Sequence, residues 1–203
     1  MSTPTIKQII QQQYMQCAAD PVFFMRNYCY IQHPKRGKIK FNLYPFQESS
    51  LTELRDNRYN VILKSRQLGI STLSAGYALW CMLFKEDFNV LVIATTQEVA
   101  KNLVNKVQVM NEMLPSWLRT EIVSNNKLSL KFKNGSQIKA ISSASTGARS
   151  EALSLLIIDE AAFIRNIEEI WVASQATLST GGGDRKSTRL NSSHTVISYA
   201  VFC

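Results

Sequence analysis

VILKSRQLGIST (61–72) decides how this chain is read. VILK (61–64) is a continuous apolar run ending in a cation, which predicts a buried strand. Gly69 closes a turn, and the apolar-periodic stretch 70–84 predicts a helix starting where the turn ends. A strand, a tight loop and a helix N-terminus in that order aim backbone N–H groups at one point, an arrangement that suits phosphate oxygens. The loop contributes Ser65, Gln67, Leu68, Gly69 and Ile70 to such a cradle, with Ser71 placed to hold a metal ion and Thr72 as a second contact. The cation usual in a phosphate loop is missing, because position 70 is Ile. Lys64, at the loop entry, is the substitute that can reach back over the loop as a point charge. Arg66 is a second loop cation, placed to act on a terminal phosphate from within the same chain.

Residues 61–72 alone also fit an ordinary strand, turn and helix with surface cations. LSLLIIDEAAF (153–163) shifts the balance. It predicts a second buried strand, ending in Asp159 and Glu160. Adjacent acids at the end of an apolar strand are costly unless solvated or bound to metal. Asp159 then serves as a magnesium ligand, and Glu160 as the base that orients an attacking water. The two motifs together predict a P-loop ATPase with ATP and Mg2+ as its small-molecule partners.

Strands and helices alternate along the chain. Residues 4–19 have helical character, and Asp20-Pro21 interrupts it. The aromatic-rich stretch 22–32 is expected to pack on the core, PKRGK (34–38) to form a basic turn, and FNLYPFQ (41–47) to give a short strand and then a helix from Pro45 or Phe46. FNVLVIA (88–94) predicts another buried strand. Residues 95–114 predict a long helix capped by Thr95 or Thr96 and ended by Pro115. Asn134-Gly135 within KFKNGSQIKAI (131–141) predicts a hairpin. Residues 166–178 are expected to be helical. Alternation with few polar strand residues predicts an α/β fold, a mostly parallel sheet flanked by helices.

The 203 residues carry a net charge of +8, compatible with a polyanion partner without demanding one. Cys17, Cys29 and Cys81 are widely spaced with no CxxC pair and read as buried free thiols. Cys29 and His33 alone do not make a zinc site. No signal peptide is visible, and 73–84 is too short and mixed to span a membrane, so the reading is of a soluble intracellular chain.

The last twenty residues, DRKSTRLNSSHTVISYAVFC (184–203), back-translate in one frame to a standard short-read sequencing adapter. They are expected to be an artefact, disordered, and foreign to the gene. Without them the net charge falls to +6, since three Lys/Arg and one Asp leave with the tail. The expected organisation is a segment 1–40 packed on the core, an incomplete ATPase domain 41–183 cut before its last core strands, and the tail 184–203.

SRQLGIST, LLIIDEAAFI and LYPFQ together resemble the large terminase subunit of tailed bacteriophages, the ATP-driven DNA-packaging motor. The resemblance covers nearly all of 20–183, and SRQLG is more distinctive than a generic phosphate loop. ATTQEVAKNLV (94–104) resembles the strand and helix that follow the P-loop helix. The resemblance implies that the fold is of the RecA-like (ASCE) P-loop NTPase type, that Phe46-Gln47 contacts adenine, that Arg66 and Glu160 are catalytic, and that Asp159 holds the metal. It puts the usual lysine at position 70, and Lys64 matches members with the lysine at the loop entry. GARSEAL (147–153) resembles the segment before the acidic strand, where Arg149 contacts phosphate or DNA or is simply solvated. It further implies a following strand with a Ser/Thr-rich coupling motif and a C-terminal nuclease, both absent from this sequence. The implied partners are double-stranded DNA, a portal protein and a small terminase subunit, with a homo-oligomeric ring on the portal. The implied setting is the cytoplasm of the infected bacterial host, docked transiently on the procapsid. Two other readings stand beside it: a helicase-like translocase, disfavoured by the loop lacking GK[ST], and a non-hydrolysing nucleotide-binding module, suggested by Ile70.

Overall fold

The computed structural model describes residues 4–33, 35–65, 67–143, 153–180 and 195–201. Helix α1 (Ile6–Ala19) opens with a reciprocal cap, in which Thr5 Oγ1 accepts from the Gln8 amide and Gln8 Oε1 accepts from the Thr5 amide at 2.8 Å. Asp20 ends α1 and caps α2 (Pro21–Tyr28), accepting from Val22 N at 2.9 Å, with Pro21 in the first turn. The predicted break is thus a corner between two helices. The aromatic stretch becomes α2 and strand β1 (Tyr30–His33), which pairs antiparallel with β2 (Gly37–Lys40) across the basic turn.

No strand forms at 41–44. Phe41 N donates to Cys29 O at 3.0 Å, and the chain runs directly into α3 (Pro45–Asp56). Then follow β3 (Tyr59–Lys64), α4 (Ile70–Phe84), β4 (Asn89–Ala94) and α5 (Gln97–Met113), the last capped by Thr96. A three-stranded antiparallel unit comes next: β5 (Ile122–Asn126), β6 (Ser129–Phe132) and β7 (Gln137–Ser142). Strand β8 (Leu155–Ile158), helix α6 (Ile167–Thr180) and strand β9 (Thr195–Val201) complete the described chain.

The main sheet runs β3-β9-β8-β4-β7-β6-β5, parallel from β3 to β7 and antiparallel beyond. The α/β expectation holds, with an antiparallel flap added at one edge. β4 shows why the middle is apolar throughout. Val90, Val92 and Ala94 pack into the core shared with α4 and α5, and Leu91 and Ile93 pack with Leu156, Ile158 and Ile164 on the other face. The first core also holds Cys17, Phe24, Met25 and Cys29, and Trp80 Nε1 donates to Cys17 O at 2.7 Å, so α1 and α2 are built into the same core as the sheet.

Two further expectations are corrected. VILK is a strand but not a buried one: Val61 is 82% exposed and Leu63 71%, because β3 lies at the sheet edge with one face open. A continuous apolar run cannot distinguish that position from a covered one. The tail is not disordered throughout, since 195–201 form β9 between β3 and β8. β3 and β8 do not pair with each other, so an inserted strand satisfies ladder groups of both. TVISYAV is rich in the β-branched and aromatic residues that suit such a slot. Among the described residues no helix is long and apolar enough to cross a membrane.

Candidate active site

The loop between β3 and α4 turns on two residues with positive φ, Gln67 at 62° and Gly69 at 72°. Gly69 O then accepts from Thr72 N at 3.0 Å and Leu73 N at 2.9 Å, which starts α4 and leaves its first amides facing the loop. Ser65, Gln67, Leu68 and Gly69 are exposed, as a phosphate cradle requires. Ile70 is 2% exposed and belongs to the core, so position 70 anchors α4 and supplies no charge. Lys64 is half-buried at the end of β3. Arg66 and Arg149 lie outside the described residues.

Gln47 is brought to the loop from α3. It is 2% exposed; its Oε1 accepts from Tyr44 N and its Nε2 donates to Leu68 O, both at 3.0 Å. A Cβ on Gly69 would lie 2.9 Å from that same Nε2, so the glycine allows the close approach. Gln47 therefore ties α3 to the loop between β3 and α4. Phe46 is exposed and stacks on Tyr44, centroids 5.7 Å apart and planes at 8°, leaving an aromatic surface beside the loop.

The two motifs meet. Ser71 Oγ donates to Asp159 Oδ2 at 3.3 Å, joining residues 88 apart in sequence. Asp159 is 4% exposed, and its amide donates to Ile93 O at 2.8 Å, which fixes it beyond the end of β8. A hydroxyl and a carboxylate are hard oxygen donors, the set that suits Mg2+. No group of three His, Cys, Asp or Glu side chains able to hold a metal occurs among the described residues. Glu160 is half-exposed and left-handed (φ 55°, ψ 43°), opening the short 3-10 turn Ala161–Phe163. A non-glycine residue there costs about 1–3 kcal/mol, and such strain gathers at functional positions.

Lys106 was not anticipated. It flanks the buried stripe of α5 formed by Leu103, Val107 and Met110, is itself half-buried, and lines a cavity with Thr72. Burial lowers its pKa; the Asp159 charge raises it and the Lys64 charge lowers it further, so it lies within electrostatic reach of both. A lysine at i+3 from Leu103 and i−4 from Met110 was the available signal.

The model of the family "Terminase large subunit, T4likevirus-type, N-terminal" matches residues 61–199. The chain belongs to the large terminase subunits. The span matched to the terminase family includes Lys64, Ser71, Asp159 and Glu160, and reaches into the segment read as adapter. Large terminases also share the fold. That of bacteriophage HK97 superposes with a TM-score of 0.68 at 18% identity, over 90% of this chain and 37% of its own. The large terminase ATPase domain of Thermus phage P74-26 gives 0.57 at 20%, over 79% and 65%. A large terminase from a thermophilic bacteriophage, solved in complex with ATP-gamma-S, gives 0.56 at 15%, over 78% and 38%. This terminase chain thus spans well under half the length of the first and third of these.

Proposed function

We propose that the chain is the ATP-hydrolysing part of a DNA-packaging motor subunit. The contact between Ser71 and Asp159 carries the reading, because it joins the phosphate loop to the acidic strand where a nucleotide's terminal phosphates would lie. The loop backbone from Ser65 to Ser71 and the first turn of α4 bind the phosphates. Phe46 offers a stacking surface for the base, and Gln47 couples that side of the site to Leu68. Lys64 and Arg66 balance phosphate charge. Ser71 and Asp159 would hold Mg2+, which supplies charge neutralisation at the phosphates when bound. Glu160 orients a water toward the terminal phosphorus and accepts its proton.

In this reading the chain works as a ring on a portal, around double-stranded DNA, with a small terminase subunit, in the cytoplasm of an infected host. Residues 184–203 are foreign to the gene, and the nuclease belongs to the intact protein. The core position of Ile70 favours one second reading, a module that binds nucleotide without hydrolysing it. Phosphate release and ATP binding separate the two. Glu160→Gln should lower turnover about 10²–10⁴-fold with binding retained, and Lys64→Ala should abolish turnover. A wild-type chain that binds ATP and never releases phosphate would establish the binding module instead.

A further inference from the structure

Lys106 stands apart from the other cations of the chain. It is half-buried at the edge of the apolar stripe of α5, beside Leu103 and Met110. Among the described residues it makes no ion pair and no hydrogen bond. The Asp159 charge reaches it without forming an ion pair, and a half-buried ammonium so placed is better compensated when a further anion sits beside it. The space is there. A cavity of about 110 Å³ lies between α5 and the start of α4, lined by Lys106, Thr72, Gln32 and Met110. Thr72 follows Ser71 directly, so the cavity adjoins the point where the phosphate loop meets Asp159.

We propose that Lys106 is a phosphate-site cation delivered from α5, neutralising the terminal phosphate of a nucleotide bound over Gly69–Ser71, a task that Ile70 leaves undone. The inference rests on reading the loop as a nucleotide site. Lys64 approaches from the end of β3 and Lys106 from α5, so the terminal phosphate would be held by charges carried on two separate elements. A cation on a helix outside the loop also reports its occupancy to α5, which packs along α4.

Fluorescent ATP and ADP analogues, titrated into the full chain and its Lys106→Met and Lys106→Arg variants, test this. Loss of a charge-assisted contact to the terminal phosphate should weaken the ATP analogue about 10-fold or more. The ADP analogue should change little, and Lys106→Arg should recover part of the loss. Equal weakening of both analogues, or of neither, with the wild type binding normally, overturns the proposal and leaves the nucleotide site intact. A wild type that binds neither analogue overturns both. The wild type alone gives a second measurement, independent of any variant's folding. ATP should shield Lys106 from an amine-acylating reagent, read by peptide mass, and ADP should shield it less; equal labelling with and without ATP counts against Lys106.

Discussion

Glu160 and Gln67 share a backbone state that side chains avoid, with φ of 55° and 62°. Both flank the candidate phosphate position, one on the acidic strand end and one in the loop. Neither conformation is explained by packing, since Gln67 is exposed and Glu160 half-exposed. The strain is accounted for if the backbone must aim a carboxylate and a loop amide at the same ligand. Glu160→Gly then separates the two roles. Its stability by urea unfolding should be unchanged or higher by up to about 1 kcal/mol, as the left-handed cost of a side chain disappears. Its ATP turnover should be lost. A clear loss of stability would mean that the side chain itself holds the turn together. At this scale the sequence was informative wherever chemistry restricts residue choice. Gly69, Ser71, Asp159 and Glu160 stand out from their apolar surroundings. Gln47 was read as an adenine contact, and its tie to Leu68 could not be foreseen, because a buried amide and an exposed one look alike in a sequence.

Among the elements, the turn between β6 and β7 shows how local signals and tertiary demands combine. Asn134 Nδ2 donates to Met82 O at 2.7 Å and to Lys85 O at 3.3 Å, so the hairpin tip holds the C-terminal end of α4. Asn134-Gly135 was legible as a turn; its grip on α4 was not. Gly135 has φ 83°, and a Cβ there would lie 1.9 Å from Asp87 Oδ1. Gly135→Ala should therefore cost roughly 2 kcal/mol or more, the left-handed penalty plus displacement of Asp87. Gly37→Ala provides the contrast, since φ is 66° with nothing within 4 Å of the added Cβ, and it should cost only about 1–2 kcal/mol. Urea midpoints of the two variants decide the order. Helix α2 went unread because its aromatic residues also suit a strand, and Pro21 looked like an ending when it was a beginning. β5 is largely exposed, and IVSNN shows no alternation to mark it.

Across the whole molecule, three buried thiols set an alkaline limit. Burial pushes Cys17 from 9.0 up to about 12 and Cys81 to about 11, with Cys29 raised further still. A raised folded-state pKa favours the protonated native form. That stability is complete below about pH 9 and is lost as pH climbs through 9 toward 12. Unfolding midpoints measured from pH 8 upward should fall in that window, and Cys17→Ala should fall less steeply. The sheet as a whole was only half legible. Continuous apolar runs announced β3, β4 and β8 and the Asn134-Gly135 hairpin signal announced β7, but the partner of β3 is the most distant strand in the sequence. That partner lies in the segment whose codons match an adapter. Independent sequencing of the source DNA across codons 170–200 should diverge from DRKSTRLNSSH after Gly183 and continue into another apolar strand. A genome that encodes DRKSTRLNSSH would show the tail to be native.

The slot between β3 and β8 also has a consequence for how the gene's own protein is made. As the polypeptide leaves the ribosome, β4, β7 and β8 can zip together as soon as each emerges. β3 has to wait for whatever strand fills the slot beside it, because it pairs with none of these three. The phosphate loop is among the first parts of the sheet to be translated and among the last to be locked in place, so a nascent chain would meet nucleotide with only half a binding site.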